Sequence, residues 1–248
     1  TLAYVGTGID ASESFSGTIL KDFWEYNPGT NVWTQKTDYP GAFGFGVYFA
    51  TGFAVDSKGY ICGGKIGASS YVNDLWEYKP SANTWLQRAS FPGGVRYQHA
   101  SLVIALKAYV GLGTDENVNK DDWWEYNPLS NSWSQKANFP GAARIKATAF
   151  AIGNFGYVGL GINGLTGYNN FYSYDPSGNS WSAIANYPGG GRHTTVSFSI
   201  LGKGYVGTGA LLSLFGETYY KDFWEYDPGA NAWAPKTDFG GVKRRHAM

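Results

Sequence analysis

The sequence is poor in sulfur and in histidine: 248 residues include one cysteine, Cys62, one methionine and three histidines. A single cysteine excludes an internal disulfide. Basic and acidic residues balance at 19 each, so charge favours neither nucleic acid nor an anionic membrane surface as a partner. No apolar run approaches the ~20 residues that a membrane-spanning helix needs. We therefore expect no nucleic acid partner and no membrane span.

The common catalytic signatures are also missing. The sequence contains no serine–histidine–aspartate set, no phosphate-binding glycine loop and no aspartate-rich calcium loop. We accordingly expect no enzymatic activity, no cofactor and no bound metal.

Aromatic residues and glycine, in contrast, are abundant, at 18% and 35 residues. Five tyrosines each stand seven positions before a tryptophan, and successive tryptophans are 52, 48, 48 and 52 residues apart. A fixed period near fifty is typical of a repeat protein. The pairs are Tyr26–Trp33, Tyr78–Trp85, Tyr126–Trp133, Tyr174–Trp181 and Tyr226–Trp233.

Each repeat predicts four short strands. Between tyrosine and tryptophan lies Pro-x-x-Asn, as at Pro176 to Asn179, where proline presets a turn and asparagine tolerates a left-handed backbone. Upstream, Tyr-x-x-x-Gly recurs, as at Tyr157 to Gly161. An alternating apolar run such as 147–152 precedes it and predicts an inner strand.

The tyrosine–tryptophan spacing and the glycines that end the second strand resemble the kelch repeat. Gly63-Gly64 is a true glycine pair, whereas other repeats read Gly-x-Gly, as at Gly207 to Gly209. The resemblance implies an all-β fold, a β-propeller of four-stranded antiparallel blades in a single domain over residues 1–248. The sequences look like those of secreted or surface bacterial kelch proteins, which implies the same location here.

The ends of the chain suggest how such a ring would close. The N-terminus begins within a blade, at its second strand, whereas residues 243–248 align with the start of an inner strand. We expect this C-terminal strand to join the N-terminal blade and close five blades. The alternative is five blades of a six-bladed ring. The chain also starts inside a repeat, so we expect a fragment or a processed product.

Arginine recurs at the entrance to the inner strands, except at the first junction, which carries Phe45 and Tyr48 instead. Because inner strands begin near the propeller axis, we expect these side chains to converge on the mouth of the channel. The candidate binding residues are Arg96, Tyr97, Gln98, His99, Arg144, Lys146, Arg192, His193, Arg244, Arg245, Phe45 and Tyr48. Two interpretations stay open: the arginines are architectural, or they bind an anionic group through bidentate guanidinium contacts.

Other recurring residues are expected to be structural. The glutamates of the repeat, at 25, 77, 125 and 225, suit a scaffold better than an active site, and the strand-four tryptophans suit a core. Cys62 suits a buried strand position. Trp123, in contrast, lies near the predicted binding face and is a candidate exposed aromatic.

Three functions remain open. The first is a non-enzymatic module that binds a protein, peptide or glycan at the mouth and the variable loops, such as 9–21 and 210–221. The second is a carbohydrate-active enzyme of the sugar mutarotase or copper oxidase kind; its candidate acids are Asp10, Glu13, Asp115, Glu116 and Glu217. The third is a structural domain of a larger secreted protein. The oligomeric state stays open.

Overall fold

The computed structural model describes residues 2–10 and 17–245. These residues form 23 strands and one short 3-10 helix, Ala42–Gly44. Most strands belong to five consecutive antiparallel sheets, which are the blades of a β-propeller. The predicted all-β fold and its five blades are therefore confirmed. No helix in the described part of the chain is long and apolar enough to cross a membrane.

The first two blades follow the predicted strand order. The first consists of β1 (Ala3–Ile9), β2 (Ile19–Asn27) and β3 (Val32–Gln35). The second consists of β4 (Thr51–Val55), β5 (Lys58–Gly67), β6 (Ser70–Lys79) and β7 (Thr84–Arg88). The first blade has three strands among the described residues. The predicted closing strand includes residues 246–248, which lie outside them.

The last three blades each have four strands. The third consists of β8 (Ala100–Ile104), β9 (Lys107–Gly111), β10 (Trp123–Asn127) and β11 (Ser132–Lys136). The fourth consists of β12 (Thr148–Ile152), β13 (Phe155–Gly159), β16 (Phe171–Asp175) and β17 (Ser180–Ile184), with a small hairpin of β14 (Ile162–Asn163) and β15 (Thr166–Gly167). The fifth consists of β18 (Val196–Ile200), β19 (Lys203–Gly207), β22 (Phe223–Asp227) and β23 (Ala232–Lys236), with a hairpin of β20 (Ala210–Ser213) and β21 (Gly216–Tyr219).

The chain divides into two compact units. Unit 1 comprises residues 1–97 and 128–133, and unit 2 comprises residues 98–127 and 134–248. In unit 1, Phe23 of the first blade packs edge-on against Tyr78 and Trp85 of the second, at centroid distances of 4.8 and 4.9 Å. In unit 2, Phe171 packs against Trp233 at 5.2 Å. The single domain predicted over residues 1–248 stays a prediction.

The Pro-x-x-Asn asparagines join neighbouring blades. Asn83 has a φ of 52°, and its side-chain oxygen accepts hydrogen bonds from the Tyr78 hydroxyl and from the Thr37 backbone amide of the preceding blade, both at 2.9 Å. Asn179 and Asn231 make the same pair of bonds in unit 2. The predicted left-handed asparagine is thus confirmed, and its side chain bonds two blades together.

The strand-four tryptophans strengthen the same seams. The indole N–H of Trp85 donates to the Thr37 carbonyl at 2.9 Å, and those of Trp181 and Trp233 donate to equivalent carbonyls in the blade before. The core assignment is wrong for Trp33, which is 51% exposed and packs on Tyr26 of its own sheet. The expected exposure of Trp123 is also wrong, because its ring is fully buried against Trp181.

Candidate functional site

Three of the four arginines at the inner-strand entrances lie inside the blades, whereas Arg244 is partly exposed. Arg96, Arg144 and Arg192 are at most 1% exposed. The Arg144 guanidinium lies 4.9 Å from the ring centre of Phe139 and 4.0 Å from that of Tyr168. A cation between two rings gains cation–π energy that offsets part of its desolvation. Burial lowers the pKa of Arg144 to about 10, which leaves it a cation at neutral pH.

Each guanidinium also makes hydrogen bonds within its own unit. Arg144 donates to the Leu160 carbonyl at 2.9 Å and to the Asn170 side-chain oxygen at 2.7 Å. Arg192 lies between Tyr187 and Tyr220 and pairs with Asp222 at 2.5 Å. These contacts favour the architectural interpretation of the arginines. Their role in ligand binding stays a prediction.

The same backbone hydrogen bond recurs at each of these arginines. The glycine that ends each second strand donates its N–H to the carbonyl of the arginine in the next junction, for example Gly113 to Arg144 and Gly161 to Arg192, at 2.9 and 2.8 Å. At the first junction Gly8 makes the same bond to Val47, which is fully buried. Val47 therefore occupies the arginine position, and Phe45, two positions before it, is 57% exposed.

The residues that follow the arginines in sequence define a second candidate site. In unit 2, Gln98 and Lys146 have φ values of 54° and 55°, and the Lys146 amide donates to the Gln98 carbonyl at 3.0 Å. Thr194, with a φ of 51°, continues the series by donating its amide to the Lys146 carbonyl at 3.4 Å. His99 follows Gln98 and is buried, at 8% exposure.

Five side chains of unit 2, which we call the Glu217 cluster, come together from four segments of the chain. They are Lys146, His193, Glu217, Tyr219 and Arg245. Glu217, on the β20–β21 hairpin, pairs with Arg245 and lies 3.5 Å from the His193 imidazole. The Tyr219 hydroxyl donates to its other oxygen at 2.9 Å. Desolvation, and then the positive charge of Arg245, lowers the pKa of Lys146, while Glu217 opposes this shift.

The Glu217 cluster therefore has more cationic than anionic groups. One carboxylate faces a lysine and an arginine, and a protonated histidine would add a third cation. His193 is 1% exposed and the Glu217 side chain 14%, so their interaction is only weakly screened by solvent. An added anion would lower the electrostatic energy of such a cluster. The structure thus brings together Lys146, His193 and Arg245 from the predicted set.

A second group of side chains, which we call the Lys65 cluster, lies in unit 1. The Lys65 ammonium is 4.9 Å from the ring centres of both Tyr71 and Tyr97 and 5.9 Å from that of Tyr48. Tyr48, one of the candidate binding residues, is buried at 5% exposure, and its backbone pairs with Lys65 through two hydrogen bonds of 3.0 and 2.8 Å. Lys65 and Tyr71 were not among the binding residues predicted from the sequence.

Two of the candidate catalytic acids make local contacts. Asp115 pairs with Lys120 at 2.7 Å and accepts the backbone amides of Val118 and Asn117. Asp10 accepts the amide of Thr18 at 2.7 Å. Glu13 lies outside the described residues. Glu217 is the candidate acid that lies in a cluster of other ionisable groups.

The repeat glutamates are structural in the blades that carry them. Glu77 accepts a hydrogen bond from the Tyr60 hydroxyl at 2.8 Å and pairs with Arg88 at 2.7 Å. The same tyrosine-to-glutamate bond recurs at Glu25, Glu125 and Glu225. Cys62 is fully buried, and burial raises the pKa of its thiol. In the described ranges, no group of three or more histidine, cysteine or acidic side chains is placed to hold a metal ion.

Five antiparallel sheets, four of them four-stranded among the described residues, define a β-propeller. Residues 48–92 match the family model described as the Kelch motif. The match confirms a kelch motif at residues 48–92, as predicted from the sequence, within a five-bladed β-propeller. The solved structure entitled "Structure of YjhT" aligns over 97% of this chain and 85% of that chain, with a TM-score of 0.77 and 16% identity. At this identity the likeness shows the fold alone. No curated protein sequence matches the chain.

Proposed function

We propose that the protein is a binding module whose protein or peptide ligand presents an acidic side chain to the Glu217 cluster. The kelch propeller fold suggests a binding module, and kelch propellers typically bind proteins. The observation that supports this site is the uneven charge around Glu217: the pKa of Lys146 is lowered by desolvation and by Arg245. A ligand carboxylate would relieve this repulsion through charge-assisted hydrogen bonds.

The position of the cluster also suits binding. Lys146, His193 and Arg245 stand at inner-strand entrances, and Glu217 stands on the β20–β21 hairpin. These are the segments in which the repeats differ most, and variable segments on a rigid scaffold commonly carry function. The tip of the hairpin that carries Glu217 also exposes two apolar side chains, Leu214 at 84% and Phe215 at 100%.

Calorimetric titration with tetraglutamate and tetraglutamine tests the proposal. We expect the acidic peptide to bind and the neutral peptide not to bind. Lys146→Met and Arg245→Met should each weaken binding about tenfold, the equivalent of ~1.4 kcal/mol. Lys243→Met is the matched control, because Lys243 is exposed and stands two positions before Arg245. Equal binding of both peptides, or unchanged binding by both variants, would contradict the proposal.

A carbohydrate-active enzyme is the second candidate, and one observation favours it. Glu217 accepts a hydrogen bond from the Tyr219 hydroxyl at 2.9 Å and lies 3.5 Å from the His193 imidazole, so a carboxylate stands beside two groups that can exchange protons. NMR exchange spectroscopy of the anomers of glucose and glucuronate tests for mutarotation. Loss of any catalysed exchange in Glu217→Gln would support the enzyme; an unchanged rate in this variant would refute it. If neither ligand binding nor turnover is found, the third function, a structural domain of a larger protein, is favoured.

The cellular location is proposed on the resemblance alone. Repeats of this type look like those of secreted or cell-surface proteins, and we propose that location here. Surface labelling of intact source cells tests it, since an intracellular protein would react only after lysis.

A further inference from the structure

Lys65 occupies a position that holds uncharged residues in every other repeat. The residue after the second glycine of the second strand is Ile9, Lys65, Thr114, Ile162 or Ala210. Lys65, Thr114, Ile162 and Ala210 are all buried, at 7%, 4%, 3% and 0% exposure. The blade therefore needs only a small or apolar side chain here. An ammonium at this position is a departure from the repeat that the fold does not require, and such departures concentrate at functional sites.

Two of the tyrosines around Lys65, Tyr71 and Tyr97, stack on each other, and we call this pair the tyrosine wall. Tyr71 and Tyr97 are parallel within 11°, with ring centres 5.1 Å apart, and the ammonium is equally distant from both. Tyr48 is fixed by its backbone pairing with Lys65 and by a hydrogen bond from its hydroxyl to the Gly67 carbonyl at 3.2 Å. In the other junctions the residue after the arginine is Ile145, His193 or Arg245. Lysine and tyrosines thus occur together in this blade.

The charge of Lys65 is not neutralised within the described part of the chain. Its ammonium contacts three aromatic rings, and no carboxylate of the described residues pairs with it. The rings attract the ammonium through cation–π contacts, but they carry no net charge that could neutralise it. A buried charge without a counter-ion is unfavourable, and a carboxylate from a ligand would supply one.

We propose that the Lys65 cluster is a binding site for a small carboxylate carried on a ring, whose carboxylate pairs with the Lys65 ammonium. The ring would lie against the side of the wall formed by Tyr71 and Tyr97, both of which are partly exposed. Aromatic acids and sugar acids share this chemistry, since the flat face of either ring packs on an aromatic surface. The site is separate in sequence and residues from the Glu217 cluster.

Lys65→Ile tests the proposal with a residue that the fold already accepts at Ile162. We expect wild-type protein to bind benzoate or glucuronate, and not benzamide or glucose, in calorimetric titrations at millimolar concentration. Lys65→Ile should reduce that affinity about tenfold or more, because the charge-assisted bond is lost. Benzoate binding alone identifies an aromatic acid, and glucuronate binding alone a sugar acid.

Two further measurements separate a ligand site from a structural lysine. Ring currents should shift the Lys65 Hε resonances upfield, and a bound carboxylate should move them further in titrations followed by NMR. Lys65→Ile should be at least as stable as wild type, because it removes a buried charge. Loss of stability in Lys65→Ile with carboxylate binding unchanged would show that the lysine is structural. Absence of binding by both carboxylates would also overturn the proposal.

Ile162→Lys is the reciprocal control. It places a lysine at the equivalent buried position of the fourth blade, where Ile145 rather than tyrosine pairs with it. We expect this variant to be destabilised and to gain no second carboxylate site. A gain of carboxylate binding equal to that of Lys65 would mean that any lysine at this position binds anions, and would overturn the role of the tyrosine wall.

Discussion

The side-chain oxygen of Asn179 accepts a hydrogen bond from the backbone amide of Ala137 at 2.9 Å, although the two residues are 42 positions apart and lie in consecutive blades. The same oxygen accepts the Tyr174 hydroxyl at 2.9 Å, and the asparagine backbone is left-handed, with a φ of 46°. One residue therefore closes a turn and bonds two sheets, which makes it a sensitive point for stability.

Asn179→Ala should destabilise the protein by about 2–4 kcal/mol, because it removes an acceptor from two donors and places a Cβ at positive φ without side-chain compensation. Asn179→Gly should cost ~1 kcal/mol less, since glycine adopts this backbone without strain. Urea unfolding gives both values. Asn154→Ala, at an exposed turn position, is the control and should stay within ~0.5 kcal/mol of wild type. An Asn179→Ala protein as stable as this control would show that the bond contributes nothing.

The architectural role of the arginines gives a second prediction. Arg144→Met keeps much of the side-chain volume but leaves the Leu160 carbonyl and the Asn170 oxygen without their donor. We expect a loss of about 3 kcal/mol in the free energy of unfolding. Denaturant titration measures it, and Lys243→Met should leave stability unchanged. If Arg144→Met folds as stably as wild type, Arg144 is not architectural, and its role as a ligand contact regains support.

The fourth blade lacks both members of an ion pair that the other blades contain. Ser173 stands opposite Tyr157, where the other blades have glutamate, and Ile184 stands where the second and fifth blades have Arg88 and Lys236. The double variant Ser173→Glu/Ile184→Lys should restore the pair. A double-mutant cycle should give a favourable coupling of about 0.5–1 kcal/mol, although each single change costs stability. Additive effects would show that the pair is not an independent element of the blade.

The Asp115 carboxyl should titrate at an unusually low pH. Its hydrogen bond with Lys120 and the backbone amides of Val118 and Asn117 lower its pKa to about 2. A depressed pKa in the folded state means that the carboxylate stabilises the fold above its unfolded value of ~3.9, and that this contribution is lost as pH falls toward 2. At pH 3, the carboxyl ¹³C resonance should still report an ionised group. Lys120→Met should raise the pKa toward the ordinary value, whereas Lys107→Met should not; equal pKa values in both variants would refute the cause.

The sequence predicts the blades well because their signals are local and repeated. A turn such as Pro176 to Asn179 depends on backbone preferences within four residues, and five copies of the spacing leave little room for another fold. What the sequence could not show is the second bond of Asn179, which joins two blades. That contact depends on the relative placement of two sheets and has no local pattern.

The candidate site was only partly predictable, for the same reason. Arg144 has the pattern of a surface cation, and only the structure shows that Phe139 and Tyr168 enclose it, one of them 24 positions further on. The Glu217 cluster joins Lys146 to Arg245 across about a hundred residues, which no spacing could indicate. Lys65, in contrast, could have been found from the sequence, because an alignment of the repeats shows a single charged residue at its position.

The hydrogen bonds at the seams between neighbouring blades have a consequence for how such a chain could gain repeats by duplication. Trp181 and Asn179 bond to Ala137. Trp133 and Asn131 bond in the same way to Ala89, which lies 48 residues before Ala137 in the chain. A tandem duplication of a 48-residue stretch in this part of the chain, where successive tryptophans are 48 residues apart, would copy both the donors and the acceptors of a seam wherever the duplication began. Growth by unequal recombination would then need no accurate breakpoint and no newly evolved contact. What is inherited is the spacing of the repeat, whichever residue the duplicated segment begins at.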